Sequence, residues 1–471
     1  MKKIILFLSL ISFSISGFST HLMGGEIVVL NDSQNSYFIL LTLYRDTLGI
    51  PVSTEQDFTV TDNQGNIVST ITSTIDFTAN HPVFGLPQGG VMAMFPYGVE
   101  IYFYTASISL PNPGEYTVSW ENCCRNGAIG NIPNPSSFGM NLHTTFKNDP
   151  VDYDSSPYFL VKPIVYLPVN TPWQYNPLPI DPDNDSLSWY IGTPNESLGS
   201  PIGGYSNPPS DPSNPFSIDP ISGTISWTAG AVGNWVYTIV CEEFRNGVKI
   251  GEIRRDMQLI VVPSGSLPIL TNIGTALPDV DGYPRWSITA GQNSEVRFLA
   301  NNPGTTDSLY FEAYGEAFLS NTPAVYSQES TGNDNEIEAI INWNPSANDV
   351  RDDLYLTVLR VMDGSFMNDE AIFIEVTNSV DVSENNFLTH PSVYPNPSQG
   401  TIFSPFDVDQ NGLVELSIYD QNGKLVFIHN EYFNSGANLA VLQTELDSGM
   451  YILLVKKDNK PITSQQFVVV K

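Results

Sequence analysis

The run Tyr37-Phe38-Ile39-Leu40-Leu41-Thr42-Leu43-Tyr44 combines aromatic and branched apolar side chains over a short length, which is typical of a β-strand. Val99-Glu100-Ile101-Tyr102-Phe103-Tyr104 and Tyr116-Thr117-Val118-Ser119-Trp120 have the same character, and Gly, Pro, Asn or Asp bound each run. The 35 glycines and 35 prolines fall mainly between such runs, where they indicate turns. Short strands recurring every 8–12 residues or so, roughly the spacing of sandwiches and Greek-key barrels, predict an all-β fold.

The excess of acidic over basic residues indicates which classes of molecule the protein repels. The chain of 471 residues carries 19 Lys and Arg against 50 Asp and Glu, a formal net charge of −31. Such a surface repels nucleic acid and anionic lipid, so neither is expected as a partner. It suits either a solvated secreted surface or the attraction of divalent cations.

The first residues predict export. Met1-Lys2-Lys3 is positively charged, and an apolar stretch follows from Ile4 to Phe18. This pattern predicts a signal peptide over residues 1–19, with cleavage near Ser19 or Thr20. The stretch is shorter than the roughly 20 residues of a membrane-spanning helix, and no transmembrane segment is expected in the mature chain.

Two central segments carry three similar patterns in the same order. The first segment contains Asp185-Ser186-Leu187-Ser188-Trp189, Ile225-Ser226-Trp227 and Asp256-Met257-Gln258-Leu259-Ile260-Val261-Val262. The second contains Asp307-Ser308-Leu309-Tyr310-Phe311, Ile341-Asn342-Trp343 and Glu370-Ala371-Ile372-Phe373-Ile374-Glu375-Val376. This order predicts tandem immunoglobulin-like or cadherin-like β-sandwiches.

The domain boundaries follow from these repeats and from the polar stretches between them. After the signal peptide we expect an N-terminal β domain over residues 20–155. The repeats then occupy 156–263 and 264–378, a linker covers 379–390, and a strand-rich C-terminal β-sandwich covers 391–471.

The C-terminal module opens with Val393-Tyr394-Pro395-Asn396-Pro397 and ends with Phe467-Val468-Val469-Val470-Lys471. It resembles the type A C-terminal sorting domain of the type IX secretion system. That resemblance implies passage through the secretion translocon, removal of the domain by the sortase, and display on the outer-membrane surface or release from the cell. The residues that would form the signal are Tyr394, Pro395, Asn396, Pro397, Gly400, Gly423, Gly449, Tyr451 and Lys471.

The region over about residues 20–263 has a second resemblance. Leu43-Tyr44-Arg45-Asp46, Glu121-Asn122-Cys123-Cys124-Arg125-Asn126 and Arg255-Asp256-Met257-Gln258 are similar to motifs of large surface proteins of gliding bacteria. The resemblance implies adhesion or display at the cell envelope, in keeping with gliding motility-associated proteins. Relatives commonly carry a Cys directly after the first motif, whereas this chain has Thr47.

Three cysteines leave the pairing open. Cys123 and Cys124 could form a disulfide between neighbours, one of them could reach Cys241, or all could remain buried thiols. A catalytic redox role is not expected, because no C-x-x-C context is present.

The best candidate for a metal site is Asp181-x-Asp183-x-Asp185. Carboxylates at alternating positions of a turn can converge on a hard cation such as Ca²⁺, which accepts roughly six to eight oxygen ligands. The pattern is not an EF-hand, because Gly192 stands where the bidentate Glu would be. The alternative is an acidic turn that caps a strand.

No catalytic motif is evident, and the chain is not expected to be an enzyme. None of the five His residues lies in an H-E-x-x-H pattern, and no G-x-S-x-G, P-loop or dinucleotide fingerprint is present. The sequence predicts a secreted structural or adhesive protein that binds a glycan or protein partner. The alternatives are an extracellular carbohydrate-active enzyme and a subunit of the gliding or secretion apparatus.

Overall fold

A computed structural model describes residues 22–378 and 393–471, apart from residues 95, 96, 150, 306, 334 and 459. The signal peptide and the linker predicted at 379–390 therefore lie outside the described residues. The chain divides into two compact units with the boundary after Ser379. The regular structure of both units is almost entirely β-strand, and the predicted all-β, sandwich-like fold is confirmed.

The N-terminal region of the first unit contains eight strands. They are β1 (Leu22–Ser33), β2 (Ser36–Asp46), β3 (Glu55–Asp62), β4 (Ile67–Thr74), β5 (Gly90–Ala93), β6 (Val99–Ser109), β7 (Gly114–Cys123) and β8 (Gly139–Asn148), with a 3-10 turn at Pro135–Ser137. Strand β2 holds the apolar run quoted first, and it is buried along nearly its whole length. A continuous apolar run is what a strand covered on both faces requires.

The first repeat follows with eleven strands. They are β9 (Tyr158–Phe159), β10 (Tyr166–Pro168), β11 (Pro172–Tyr175), β12 (Pro179–Ile180), β13 (Ser186–Gly192), β14 (Asn195–Ser197), β15 (Ser200–Pro201), β16 (Ser217–Ile218), β17 (Ile225–Thr228), β18 (Gly233–Arg245) and β19 (Val248–Val262).

The second repeat has nine strands. They are β20 (Ile269–Leu270), β21 (Asp279–Val280), β22 (Tyr283–Thr289), β23 (Ser294–Asn301), β24 (Tyr310–Gly315), β25 (Val325–Ser330), β26 (Glu336–Trp343), β27 (Tyr355–Met362) and β28 (Met367–Thr377), with a short helix α1 (Ile273–Ala276) and 3-10 turns at Glu316–Phe318 and Ala347–Asp349.

The same pairings recur in both repeats. In the first, β10 runs parallel to β19, and β18 joins β19 to β13, while β11 pairs with β17. In the second, β22 runs parallel to β28, and β27 joins β28 to β24, while β23 pairs with β26. Trp227 and Trp343 lie at matching places and are fully buried. The sequence repeat is therefore also a repeat of strand topology.

One sheet crosses from the N-terminal region into the first repeat. Its order is β4-β3-β7-β8-β19-β1-β2-β6-β5, so the last strand of the repeat lies between two N-terminal strands. Gly24 on β1 permits this insertion, because a Cβ at this position would lie 2.1 Å from the carbonyl oxygen of Asp256 on β19. The boundary predicted at residue 155 stays a prediction, but the sheet does not stop there.

The hydrophobic cores show the same fusion. Side chains of β1 and β2 alternate between two cores: Val28 and Leu40 pack with Trp173 and Trp227 of the first repeat, whereas Ile27 belongs to the core of the N-terminal region. The second repeat has its own core around Trp343. Because strand side chains alternate with period two, a single sheet can serve as a wall for two cores.

The second unit is a separate small sandwich with its own core. Its strands are β29 (Thr401–Val408), β30 (Gly412–Asp420), β31 (Leu425–Phe433), β32 (Gly436–Gln443), β33 (Gly449–Lys457) and β34 (Lys460–Val469). They form a two-stranded sheet, β29-β32, and a four-stranded sheet, β31-β30-β33-β34.

Candidate functional site

An acidic cluster lies where three segments of the first unit meet. Asp154 comes from the loop after β8, Asp183 and Asp185 from the turn before β13, and Glu243 from strand β18. One carboxylate oxygen of each lies within 4.8 Å of those of the others. Sequence analysis predicted two of these residues, Asp183 and Asp185.

Asp181, the third residue of the predicted pattern, also lies in the turn before β13. Its Oδ1 accepts hydrogen bonds from the backbone N–H groups of Asp183 (2.9 Å) and Asp185 (3.0 Å), so it closes the turn that presents the other two carboxylates. Its Oδ2 is buried and accepts no hydrogen bond from the described residues. Asp181 thus fixes the conformation of the turn through Oδ1, while its Oδ2 has no hydrogen-bond donor among the described residues.

Arg245 is the basic side chain that pairs with the cluster. Its Nε lies 2.9 Å from Oδ1 of Asp185, and its Nη2 lies 3.4 Å from Oδ1 of Asp154 and 4.0 Å from Oδ2 of Asp183. Asp154 and Asp183 also accept backbone hydrogen bonds, from Lys147 and Ser155 respectively. Burial nevertheless raises the pKa of Asp154 to about 6.

Glu243 is the member of the cluster whose carboxyl group receives no hydrogen bond from the described residues. Its side chain is 0% exposed, and neither of its oxygens accepts a hydrogen bond within the described chain. Burial, reinforced by the neighbouring carboxylates of Asp154 and Asp181, raises the pKa of Glu243 to about 12. A buried carboxylate without a partner is costly, so this position requires either a proton or a cation.

Glu243 was missed by sequence analysis, although a signal existed. It lies two residues from Cys241 on β18, and residues two apart on a strand face the same side. Cys241 is fully buried, so the charged residue beyond it also faces inwards. Asp154 had no comparable pattern, because it lies in a loop.

The structure contains one of the three cysteine arrangements that the sequence left open. Cys123 and Cys124 are joined by a disulfide between neighbours, and Cys241 is a buried free thiol. Burial raises the pKa of Cys241 well above its usual value, which keeps the sulfur protonated and unreactive.

Two buried ion pairs join the N-terminal region to the first repeat. Arg255 lies 2.8 Å from Glu26, which also accepts a hydrogen bond from Tyr44, and Arg125 lies 2.7 Å from Asp256. Every one of these charged groups is almost completely buried. Arg125, Arg255 and Asp256 belong to the motifs that resemble surface proteins of gliding bacteria, and the two pairs hold the N-terminal region and the first repeat together.

In the second unit, the opening motif meets the last strand. Oδ1 of Asn396 accepts a hydrogen bond from the backbone N–H of Val468 (2.9 Å), and Tyr394 stacks on Phe403 with ring centres 5.3 Å apart. Ser398 and Val469 form an isolated parallel bridge. The predicted motif residues therefore fasten the beginning of the sandwich to its end.

The other predicted residues of this unit lie in turns and at the end of the sandwich. Gly423 has a φ of 75° in the turn between β30 and β31, which favours glycine. The hydroxyl of Tyr451 donates to the carbonyl oxygen of Asp447, and Nζ of Lys471 lies 2.8 Å from the carboxylate of Asp447. Gly449 starts β33, and Gly400 precedes β29; the cis peptide bonds precede Pro395 and Pro397.

Comparison with protein families decides what this second unit is. Residues 392–471 match the family described as secretion system C-terminal sorting domain. The chain carries a type IX secretion sorting domain. A protein with this sorting domain is exported to the outer-membrane surface or the extracellular space, and it interacts with the secretion system. The resemblance predicted from the sequence is confirmed.

Nothing among the curated proteins matches the sequence. Among solved structures, an endo-fucoidan hydrolase of glycoside hydrolase family 107 is similar at 12% identity, with 67% of this chain and 44% of that chain covered and a TM-score of 0.19. The chain thus spans less than half the length of that enzyme. An ICAM-5 D1–D4 ectodomain fragment is similar at 9% identity, with 93% and 96% covered and a TM-score of 0.19. The BSP domain of a biofilm associated protein is similar at 8% identity, with 96% of both chains covered and a TM-score of 0.14. At these identities and TM-scores, no binding site or activity of those proteins can be transferred to this chain.

Membrane-spanning helices are absent from the part of the chain that the structure describes. No helix there has both the length and the apolar character that crossing a membrane requires.

Proposed function

We propose that this chain is a structural or adhesive protein of the cell surface that binds a glycan or protein partner, delivered by its sorting domain. The observation that carries the proposal is the construction of residues 22–378. One sheet runs through the N-terminal region and the first repeat, and buried ion pairs brace it on both sides of β19. A scaffold of this kind resists deformation and presents its loops at fixed positions, as a displayed binding protein needs.

The second repeat is held to this scaffold in a similar way. The backbone N–H of Asn176 donates to the carboxylate of Asp369 (3.1 Å), which also forms a buried ion pair with Arg360. The hydroxyl of Tyr283 donates to Asp219 of the first repeat (2.9 Å). These contacts join the second repeat to the first, which supports a scaffold that presents its loops to a partner.

The cleft between the two repeats supports binding better than catalysis. It has a volume of about 280 Å³ and is lined by Asp181, Glu316, Asp349 and Arg351, among others. Arg351 holds Glu316 through two hydrogen bonds, and Asp349 accepts hydrogen bonds from Ser346. Carboxylates tied in this way are poorly suited to act as a catalytic acid and base.

The proposal is tested by separating export from binding. Bacteria with a type IX system would make the full chain and a version lacking residues 391–471, and surface exposure would be measured by protease treatment of intact cells. We expect only the full chain to deliver residues 20–378 outside. The purified protein would then be screened against envelope polysaccharides for binding and for release of reducing ends. Saturable binding without cleavage supports the proposal, whereas cleavage would identify the chain as a carbohydrate-active enzyme and overturn it.

A further inference from the structure

The acidic cluster has more negative charge than its surroundings compensate. The carboxylates of Asp154, Asp183, Asp185 and Glu243 meet there, and that of Asp181 lies next to Glu243. The guanidinium of Arg245 pairs with three of them, Asp154, Asp183 and Asp185. That guanidinium lies closest to Asp185 and does not reach Glu243. Carboxylates this close repel each other in a buried site unless a positive charge lies between them.

The orphaned oxygens point to where that positive charge belongs. Both oxygens of Glu243 and Oδ2 of Asp181 are buried and have no hydrogen-bond donor among the described residues. Glu243 is completely buried, and its nearest carboxylate oxygen lies within 4.8 Å of those of Asp154, Asp183 and Asp185. A fully buried carboxylate without a donor, this close to three other carboxylates, is arranged as a ligand of an ion that they share.

The second repeat shows how the same position is compensated without an ion. Trp189 and Phe311 match in the two repeats, and they pair with Cys241 and Val361 respectively. Two residues further along lie Glu243 in the first repeat and Asp363 in the second. Asp363 is also buried, but it accepts hydrogen bonds from the side chain of Asn302 and from the backbone of Ser365 and Phe366. The first repeat lacks equivalent donors at Glu243.

We propose that one divalent cation binds where the N-terminal region meets the first repeat, through Asp154, Asp183, Asp185 and Glu243, with Oδ2 of Asp181 as a further ligand. Calcium fits best, because the donors are all oxygens and come from a loop, a turn and a strand, an irregular set that suits its flexible coordination. Magnesium demands a stricter octahedron and retains more water, and zinc favours nitrogen and sulfur ligands.

The position of the cluster gives the ion a structural role. The loop that holds Asp154 also holds Ser155 and Ser156, whose hydroxyls accept hydrogen bonds from the backbone of β1. The ion would therefore tie the end of the N-terminal region to the turn and strand of the first repeat. Its removal would loosen this junction and leave the second repeat unaffected.

The test uses the chain from residue 20 to its C-terminus, purified with its sorting domain and stripped with a chelator. Calcium chloride would be titrated calorimetrically into the wild type, into Glu243→Gln and into the control Glu242→Gln. Glu242 is the neighbouring residue on β18 and pairs with Lys249, outside the cluster. We expect one calcium ion per chain in the wild type and the control, and an affinity lowered at least about tenfold in Glu243→Gln.

Three results would overturn the proposal: no calcium binding by the wild type, equal binding by Glu243→Gln, or equal loss in both variants. The first result would mean that Glu243 holds a proton in place of a cation. If Glu243→Gln does not fold, Asp183→Asn serves in its place, because Asp183 is partly exposed; it must then show the same loss of affinity.

Discussion

The two repeats have the same strand pairings but meet their buried charges differently. In the second repeat, Asp363 is satisfied by three hydrogen bonds from its own repeat. In the first, Glu243 faces other carboxylates and has no donor among the described residues. The comparison teaches that a shared topology fixes where a carboxylate is buried, whereas the local loops decide whether it needs an external partner.

The two repeats also differ in whether their last strand pairs with strands outside the repeat. Strand β19 of the first repeat lies between β8 and β1, and its residue Arg255 pairs with Glu26 across that junction. The corresponding strand of the second repeat, β28, pairs with β22 and β27 of its own repeat. We therefore expect the first repeat and the N-terminal region to unfold together.

The largest effect is expected from breaking that junction. Arg255→Met leaves Glu26 buried without its cation and should lower the free energy of unfolding by about 3–5 kcal/mol. Arg254→Met, at the adjacent and more exposed position, should cost about 1 kcal/mol or less. Urea unfolding followed by tryptophan fluorescence would measure both. Similar losses in the two variants would contradict the structural role of the buried pair.

The second largest effect is expected at Glu243 and Asp363, the carboxyl groups at matching positions of the two repeats. In chelator, Glu243 must hold a proton in the folded state, so Glu243→Gln removes the cost of taking up that proton and should raise the free energy of unfolding at pH 7 by about 2–3 kcal/mol. Asp363→Asn weakens satisfied hydrogen bonds and should lower it by about 1–2 kcal/mol. Calorimetric melts of both variants would test this. Destabilisation by both changes would show that the two sites are compensated alike.

A third effect concerns pH. Burial, reinforced by the positive charge of Arg255, lowers the pKa of His81 from 6.5 to about 3. The ring is held by Thr42 at Nε2 and by two backbone N–H groups that donate to Nδ1. A pKa lower in the folded state means that stability is lost as the pH falls below 6.5. Acidification from pH 7 to pH 5 should thus cost the wild type about 2 kcal/mol more than His81→Gln. Parallel stability curves for the two proteins over this range would refute a neutral, buried His81.

The smallest effect lies in the sorting domain, outside both repeats. Asn396→Ala removes the hydrogen bond to Val468 and should lower the stability of this domain by about 1 kcal/mol. Lys471→Ala, which removes an exposed pair with Asp447, should not change the melting temperature. Melts of the full chain would resolve the sorting domain as a separate transition, since it is a separate unit. A shift in the transition of residues 22–378 would argue against that separation.

The sequence was sufficient to predict the fold class, the repeats and the sorting domain, because these depend on local patterns. Alternating strands, the Trp positions and the Tyr394-Pro395-Asn396-Pro397 motif are all readable without tertiary information. The insertion of β19 into the N-terminal sheet was not predicted, because strand pairing over more than 200 residues leaves no local signal.

Only part of the candidate site was predicted, because some of its residues lie far apart in the sequence. Asp183 and Asp185 share one turn and could be found together, whereas Asp154 and Glu243 come from distant segments. The role of Asp181 in closing the turn depends on backbone geometry, which the D-x-D-x-D spacing alone does not distinguish from metal ligation.

Hydrogen exchange of the complete chain, with and without calcium, tests the central difference between the repeats most directly, because each repeat serves as the control for the other. We predict that calcium increases protection at residues 151–157, 181–187 and 239–245, and leaves residues 358–368 unchanged. Equal protection with and without calcium at all of these segments, or an equal gain in both repeats, would contradict the account.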